Sequence, residues 1–414
     1  MTKQTIHIPT GYKPSPLGPI PEDWEVKRLG EICDIDKESL SSKTDPEYKF
    51  DYISLSDVDS DNFEISTSKQ IFKTAPSRAR RIVKKGDVII STVRLNLQAF
   101  FLIKNNVENL IVSTGFAVLT PQKNVLGEYL IQYVFSDKVS RQFFQLVVGS
   151  NYPAVNSSDI AHLKLAIPPI KEQEKICNVL QLWDTAIAKQ TALIEKLTLR
   201  KRGLMKQLLT GKKRLEGFGG EWKKCTYSNI LSEVKRTLIW DEDELYKLIS
   251  VRRRSEGLFF RESLYGREIA TKNLRPAKTG DFLISKMQIV HGASGLVTEE
   301  FDDAKISGSY ISLVSKNSDV LDIKYFNLWS QTPIFYHQTF VSSFGVHIEK
   351  MTFDFDTFMS FSMPLPPIKE QHAIVLLMDS LNKEIEIAKE KLSHLQNQKR
   401  GLMQVLLTGK KRVK

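Results

Sequence analysis

The chain has 414 residues, with 59 Lys or Arg against 48 Asp or Glu and a net charge of +11. That length allows two domains of ordinary size, and the positive balance favours a polyanionic partner, because neutralising phosphates releases condensed counterions. The scattered, odd set of cysteines (Cys33, Cys177, Cys225) argues against a disulfide framework or a C-x-x-C metal site and for a reducing cytoplasm. No apolar run approaches the ~18 residues of a membrane span, and the polar, proline-rich opening lacks the apolar core of a signal peptide.

In chain order, a Trp24, Leu29, Gly30, Glu31, Ile32 start leads into a first module. A basic cluster, Arg78, Arg80, Arg81, Lys84 and Lys85, precedes an apparent strand over 87–92, and Arg94, Asn96 and Gln98 follow it. Arginine suits guanine, and Asn or Gln suits adenine, by bidentate hydrogen bonding in the major groove. Basic residues interleaved with neutral polar ones therefore serve both phosphate positioning and base reading. The Gly149-Ser150-Asn151-Tyr152 turn is a further candidate loop on that face.

Prolines 168 and 169 then introduce a long helix. Its apolar seam runs Ile176, Leu180, Trp183, Ile187, Gln190, Ile194, Leu197, Lys201, Leu204, Leu208 in alternating steps of four and three, the rule of a coiled coil. It stops near Thr210-Gly211, where glycine suits a C-terminal cap, and Lys-Lys-Arg follows at the negative end of the dipole.

A second module begins at Trp222. Its candidate readers are Arg252, Arg253 and Arg254 after a strand-like 246–251, then Lys272, Arg275, Lys286, Gln288 and His291, with Ser343-Phe344-Gly345 matching the first module's late turn. A second helix has the seam Ile374, Met378, Leu381, Ile385, Ala388, Leu392, Leu395, Lys399, Leu402, Leu406 and the same register. Lys201 and Lys399 interrupt the two seams at one heptad position, and snorkelling out of the seam is the expected solution, with register-setting as the alternative.

The chain is thus a repeat of itself. Pro168-Pro169-Ile170-Lys171-Glu172-Gln173 recurs 198 residues on at Pro366, and so do Lys201-Arg202-Gly203-Leu204-Met205 and Leu208-Leu209-Thr210-Gly211-Lys212-Lys213-Arg214. Inside the modules the offset slips to 194, as in Gly86-Asp87 with Gly280-Asp281. The expected fold is α+β, with two similar modules (1–165 and 215–363) separated by two long helices (166–214 and 364–414) pairing as an antiparallel coiled coil. An internal pseudo-twofold would relate the halves. Roughly 39 helical residues span close to 60 Å, and two readers held apart suit a split DNA site.

Catalytic motifs are missing. Asp57-x-Asp59-x-Asp61 lacks the glycine and bidentate Glu of a calcium loop, Gly211-Lys212 lacks the rest of a phosphate loop, and neither Gly-x-Gly-x-x-Gly nor an N-P-P-Y tetrapeptide occurs. A DNA methyltransferase or nuclease with an unrecognised motif stays open as the alternative.

The P-P-I-x-E-Q helix start, the L-L-T-G-K-K-R helix end, their repetition half a chain later and the W-x-x-x-x-L-G-E-I opening resemble type I restriction–modification specificity subunits across essentially the whole chain. The second module keeps Trp222 but has Tyr227-Ser228-Asn229 in place of Leu-Gly-Glu. The resemblance implies two target-recognition domains, each reading a short half-site of double-stranded DNA, with the helices fixing the spacer. It implies two docked methyltransferase subunits and further restriction subunits. S-adenosylmethionine, ATP and magnesium would belong to those partners, so no cofactor and no catalytic residue is expected on this chain.

Overall fold

The computed structural model describes residues 8–59, 64–93, 95, 98–147, 154–345 and 351–413. It divides into two compact units, residues 1–193 with 389–414, and residues 194–388. Each contains one module, the beginning of one long helix and the end of the other.

Unit 1 carries strands β1 (Glu25–Arg28), β2 (Cys33–Ile35), β3 (Lys49–Ile53), β4 (Ser68–Ile71), β5 (Ala79–Ile82), β6 (Val88–Ser91), β7 (Phe100–Leu102), β8 (Leu110–Ser113) and β9 (Phe116–Pro121), helices α1 (Gly127–Val134) and α2 (Asp137–Val147), β10 (Lys164–Ile167), and the 40-residue helix α3 (Ile170–Leu209), whose second half belongs to unit 2. One sheet is antiparallel in the order β7-β6-β9-β2; a second, in the order β4-β3-β8-β5, has β3 and β8 parallel.

Unit 2 continues with β11 (Lys223–Thr226), β12 (Leu231–Val234), β13 (Leu245–Val251), β14 (Leu258–Tyr265), β15 (Leu274–Pro276), β16 (Phe282–Ser285), β17 (Ser294–Leu296), β18 (Lys305–Ser307), β19 (Tyr310–Ser315), α4 (Ile323–Trp329), α5 (Pro333–Val341), β20 (Ser362–Leu365) and α6 (Ile368–Leu406), whose second half belongs to unit 1. Its sheets, β17-β16-β19-β12 and β14-β13-β18-β15, repeat those of unit 1 strand for strand. The register repeats too: Val88 lies opposite Leu119 and Phe282 opposite Leu313, both pairs 194 residues apart.

The central strand of each unit explains why its sequence is apolar without alternation. On β6, Val88 and Ile90 enter the core shared with the helices, while Ile89 enters the core between the sheets. On β16, Phe282 and Ile284 make the first choice and Leu283 the second. A strand covered on both faces reads as a continuous hydrophobic run, and each fully buried side chain contributes about 1.5–3 kcal/mol.

The helix seams are buried as the spacing predicts. In unit 1, Ile176, Cys177 and Leu180 share a core with Met403, Leu406 and Leu407. In unit 2, Leu197 packs with Ile385 and Ala388, and Leu208 and Leu209 with Ile374, Met378 and Leu381. As one helix ascends the other descends, so the pairing within each unit is antiparallel. Lys399 departs from the snorkelling expectation. It is 8% exposed, and its Nζ lies 2.5 Å from Asp184 Oδ1 across the seam; Asp184 in turn accepts from Gln132 Nε2 at 2.7 Å. An ammonium with a carboxylate in reach has no need to extend to water.

The repeated motifs build one junction twice. In unit 1, Glu172 accepts from Trp24 Nε1 at 3.0 Å and from Arg412 Nε and Nη2 at 2.7 Å each. In unit 2, Glu370 accepts from Trp222 Nε1 at 3.1 Å and from Arg214 Nε and Nη2 at 2.5 and 2.6 Å. The next residue, Gln173 or Gln371, uses its amide to fix the backbone before α1 or α4, at Leu126 and Asn124 or at Asp322 and Val320. Gly211 and Gly409 end the helices at φ of +68° and +69°, a left-handed cap that glycine adopts without steric cost and that turns the following arginine back onto the glutamate.

Candidate nucleic-acid interface

In unit 2 the C-terminal ends of β13, β16 and β18 deliver three turns to one place. The turn over residues 252–257 is closed by Arg252 N–H donating to Gly257 O, and it is tied to the turn after β16 by Arg254 N–H to His291 O at 2.7 Å and Ser255 N–H to Gly292 O at 2.8 Å. The turn after β16 is tied to the turn after β18 by Lys286 N–H to Ser309 O at 3.0 Å. The structure therefore gathers Arg252, Arg253, Arg254, Lys286, Gln288 and His291, residues spread over forty positions of sequence. Asn273 joins them, since Gly308 N–H donates to its carbonyl. Arg252, exposed like Arg253 and Arg254, anchors the foot of its turn by donating to Leu258 O at 3.2 Å and lying 4.9 Å over the Phe259 ring.

Two of the sequence candidates stand elsewhere. Lys272 is ion-paired with Glu242 and lies over the Trp240 ring. Arg275 is a half-buried residue of β15, opposite Ile306. Ser343 and Phe344 form a short strand paired with Thr352 and Phe353, and the Phe344 side chain is exposed. Sequence reasoning missed Ser255 and Tyr336, whose hydroxyls lie 2.8 Å apart.

The corresponding end of unit 1 is built on the same three strands, β3, β6 and β8. Thr92 after β6 bonds Gly115 O through both N–H and Oγ1, at 2.8 and 2.9 Å, and Thr114 N–H after β8 donates to Arg78 O at 2.8 Å. Arg78 is exposed there, and Gln98 closes the turn after β6 at φ +46°. The turn after β3 is a tight one, Ser54–Asp57, with Asp57 accepting from Ser54 N and Oγ at 2.8 and 2.7 Å. Three others of the basic cluster are engaged internally, while Lys85 is exposed. Arg80 lies 4.8 Å over Phe72, Arg81 pairs with Asp36, and Lys84 pairs with Glu38. Arg94, Asn96, Asn151 and Tyr152, with Gly149 and Ser150, lie outside the described residues.

Burial pushes the Cys33 and Cys177 thiols up to about 12, and among the described residues no three His, Cys, Asp or Glu side chains gather as a metal site. No helix of the described residues is long and apolar enough to cross a membrane.

The fold and its doubled end match a known group of proteins. The sequence model of the type I restriction modification DNA specificity domain matches residues 21–199 and 244–397, one stretch for each module. The chain belongs to that family. The putative type I restriction enzyme MjaX specificity subunit of Methanocaldococcus jannaschii is 25% identical, across 97% of this chain and 97% of its own length. The MjaVIII specificity subunit of the same organism is 22% identical across 95% and 94%. Among solved structures, one from a study of complex assembly and conformational transition of the type I R-M system covers 94% of this chain and 99% of its own at 21% identity and a TM-score of 0.65. The S subunit from M. genitalium covers 93% and 96% at 13% identity and a TM-score of 0.53. These likenesses establish the fold. As a specificity subunit, the chain carries two DNA-recognition domains and leaves catalysis to other subunits. Specificity subunits of type I systems act in complexes with methyltransferase and restriction subunits and DNA.

Proposed function

We propose that this specificity subunit reads a bipartite target in double-stranded DNA in the cytoplasm, one half-site per module, and brings two methyltransferase subunits and the restriction subunits to it. The supporting observation is that two modules with one strand order and one register present different side chains at the same strand ends. Residues 1–165 and 215–363 serve as the reading domains, joined by segments 166–214 and 364–414, which contain α3 and α6. The reading residues of unit 2 are Arg252, Arg253, Arg254, Lys286, Gln288 and His291. Those of unit 1 are Arg78 and Gln98, with Arg94, Asn96, Asn151 and Tyr152 assigned from sequence alone. Arg81, Lys84 and Lys272, whose charges are met by carboxylates, are left out of the reading set.

Replacing residues 215–363 with the corresponding module of a related specificity subunit, followed by methylome sequencing, tests the reading. One half of the methylated motif changes and the other stays. A change in both halves, or in neither, overturns modular reading. Methyl transfer or cleavage by the pure chain, given DNA with S-adenosylmethionine or magnesium, would instead favour an enzyme.

A further inference from the structure

Unit 2 holds its arginine turn in a backbone conformation that its own residues disfavour. Arg254 and Ser255 have φ of +60° and +55°, and Glu256 N–H donates to Arg253 O at 3.3 Å. Two successive left-handed residues closed by that bond make a type I′ turn, whose ordinary sequence is Asn-Gly. Side chains in this region persist only where the surroundings over-determine them, and such places cluster at ligand clamps. Here the surroundings do so three times: Arg254 N–H on His291 O, Ser255 N–H on Gly292 O, and Ser255 Oγ 2.8 Å from Tyr336 Oη. Gly292, at φ +72°, is part of the fit, because a Cβ there would lie 2.1 Å from Tyr336 Oη. An Asn-Gly turn would join β13 to β14 unaided, so these contacts are not needed to close the hairpin. What they fix is the direction of Arg253 and Arg254, the exposed tip.

We propose that Arg253 and Arg254 are specificity-determining residues of unit 2, contacting base edges in the major groove, and that Ser255, Gly292 and Tyr336 are positioning residues that aim the turn. The inference rests on the DNA-reading function above. The matching connection of unit 1, residues 54–67 between β3 and β4, contains no arginine. The effects are therefore confined to one half-site.

The test uses the full chain with its methyltransferase subunits and duplexes bearing the motif found by methylome sequencing, each half-site assigned by the module replacement. Competition binding compares the intact motif with duplexes changed at single base pairs. Arg254→Ala lowers the preference for the unit 2 half-site about tenfold or more at one base pair, with the other half-site unaffected. Arg254→Lys keeps the charge but not the planar fork, and does not restore the preference. Arg254→Gly suits the left-handed backbone, so it keeps the melting temperature while losing the preference, which separates reading from folding. Tyr336→Phe removes one hydroxyl, lowers the preference several-fold and leaves the salt dependence unchanged. The assignment is overturned if Arg254→Ala and Arg254→Lys discriminate as the parent does. It is equally overturned if Arg254→Ala weakens binding to all sequences alike and lowers the salt slope by about one while Arg254→Lys does neither, the mark of a phosphate contact. A parent complex with no preference for the motif over scrambled DNA overturns the DNA-reading function itself, and this assignment with it.

Discussion

At the two helix junctions, Glu172 and Glu370 hold a tryptophan Nε1 at 3.0 and 3.1 Å and an arginine fork in the same way. At the two reading ends, the same strands of the same sheets lead to unlike turns: Arg253 and Arg254 at a left-handed tip in unit 2, and in unit 1 a connection that opens with a Ser54–Asp57 turn sealed by its own carboxylate. At the junctions, residues that satisfy buried polar partners recur at a fixed offset, whereas residues at the ends of strands, facing solvent, have separated. The scaffold tolerates this because a turn at a strand end carries little of the core.

The largest test of that contrast is at the junctions. Glu172→Ala and Glu370→Ala each take the carboxylate away from a tryptophan N–H, buried at Trp24 and half-buried at Trp222, and from the arginine fork that holds it. Each change costs about 3 kcal/mol, the low end of the range for breaking a buried pair because the arginines are partly exposed, read by urea unfolding of each variant. Equal costs confirm that the junctions are equivalent; a cost under ~1 kcal/mol at one of them breaks the comparison. A smaller effect separates the seams. Asp184→Asn removes the carboxylate charge 2.5 Å from the buried Lys399 ammonium and costs about 2 kcal/mol, below the usual range because Asp184 is partly exposed. A further Lys399→Met recovers most of it. Unit 2 already has Asn382 at the position matching Asp184, so Asn382→Ala changes stability by less than ~1 kcal/mol.

Acid sharpens the junction comparison further. Arg412 also bonds Asp23, and that hydrogen bond holds the Asp23 carboxyl below its ordinary range. Arg214 bonds the Gly219 and Gly220 carbonyls instead, which do not titrate. A depressed carboxyl contributes stability that is present above its unfolded pKa near ~3.9 and is lost as pH falls through the folded value. Below about pH 4 the Arg412 contact weakens, and Asp23→Asn reduces the loss of melting temperature between pH 5 and 3. If Asp23→Asn melts with the parent's pH dependence, this asymmetry is absent. The mildest expectation concerns thiols: at pH 8, Cys225 is alkylated well before Cys33 and Cys177, whose burial opposes the thiolate. Mass spectrometry of briefly labelled protein checks the order.

Much of this was legible in the residues because the chain states its scaffold twice. The 198-residue offset marks the junctions, the slip to 194 marks the paired sheets, and the four–three spacing marks the faces the helices bury. What could not be read was which cations are already spoken for. Arg81 meets Asp36 and Lys84 meets Glu38 from a segment some forty-five residues earlier, and no spacing rule links them. Tyr336 reaches Ser255 across 81 positions. Lys399 looked like a seam residue needing water because its carboxylate partner lies on the other helix. Pattern reports faces and repeats; pairing between distant segments depends on where the fold brings them.

The junction of unit 1 also sets an order of events during synthesis. Every piece of unit 2 lies within residues 194–388, but the core of unit 1 includes Met403, Leu406 and Leu407, and its clamp needs Arg412. Translation delivers the first module early and its closing helix last, at about 5–20 residues per second. The module made first therefore waits some tens of seconds on the ribosome with an open flank, while the one made second can close before it.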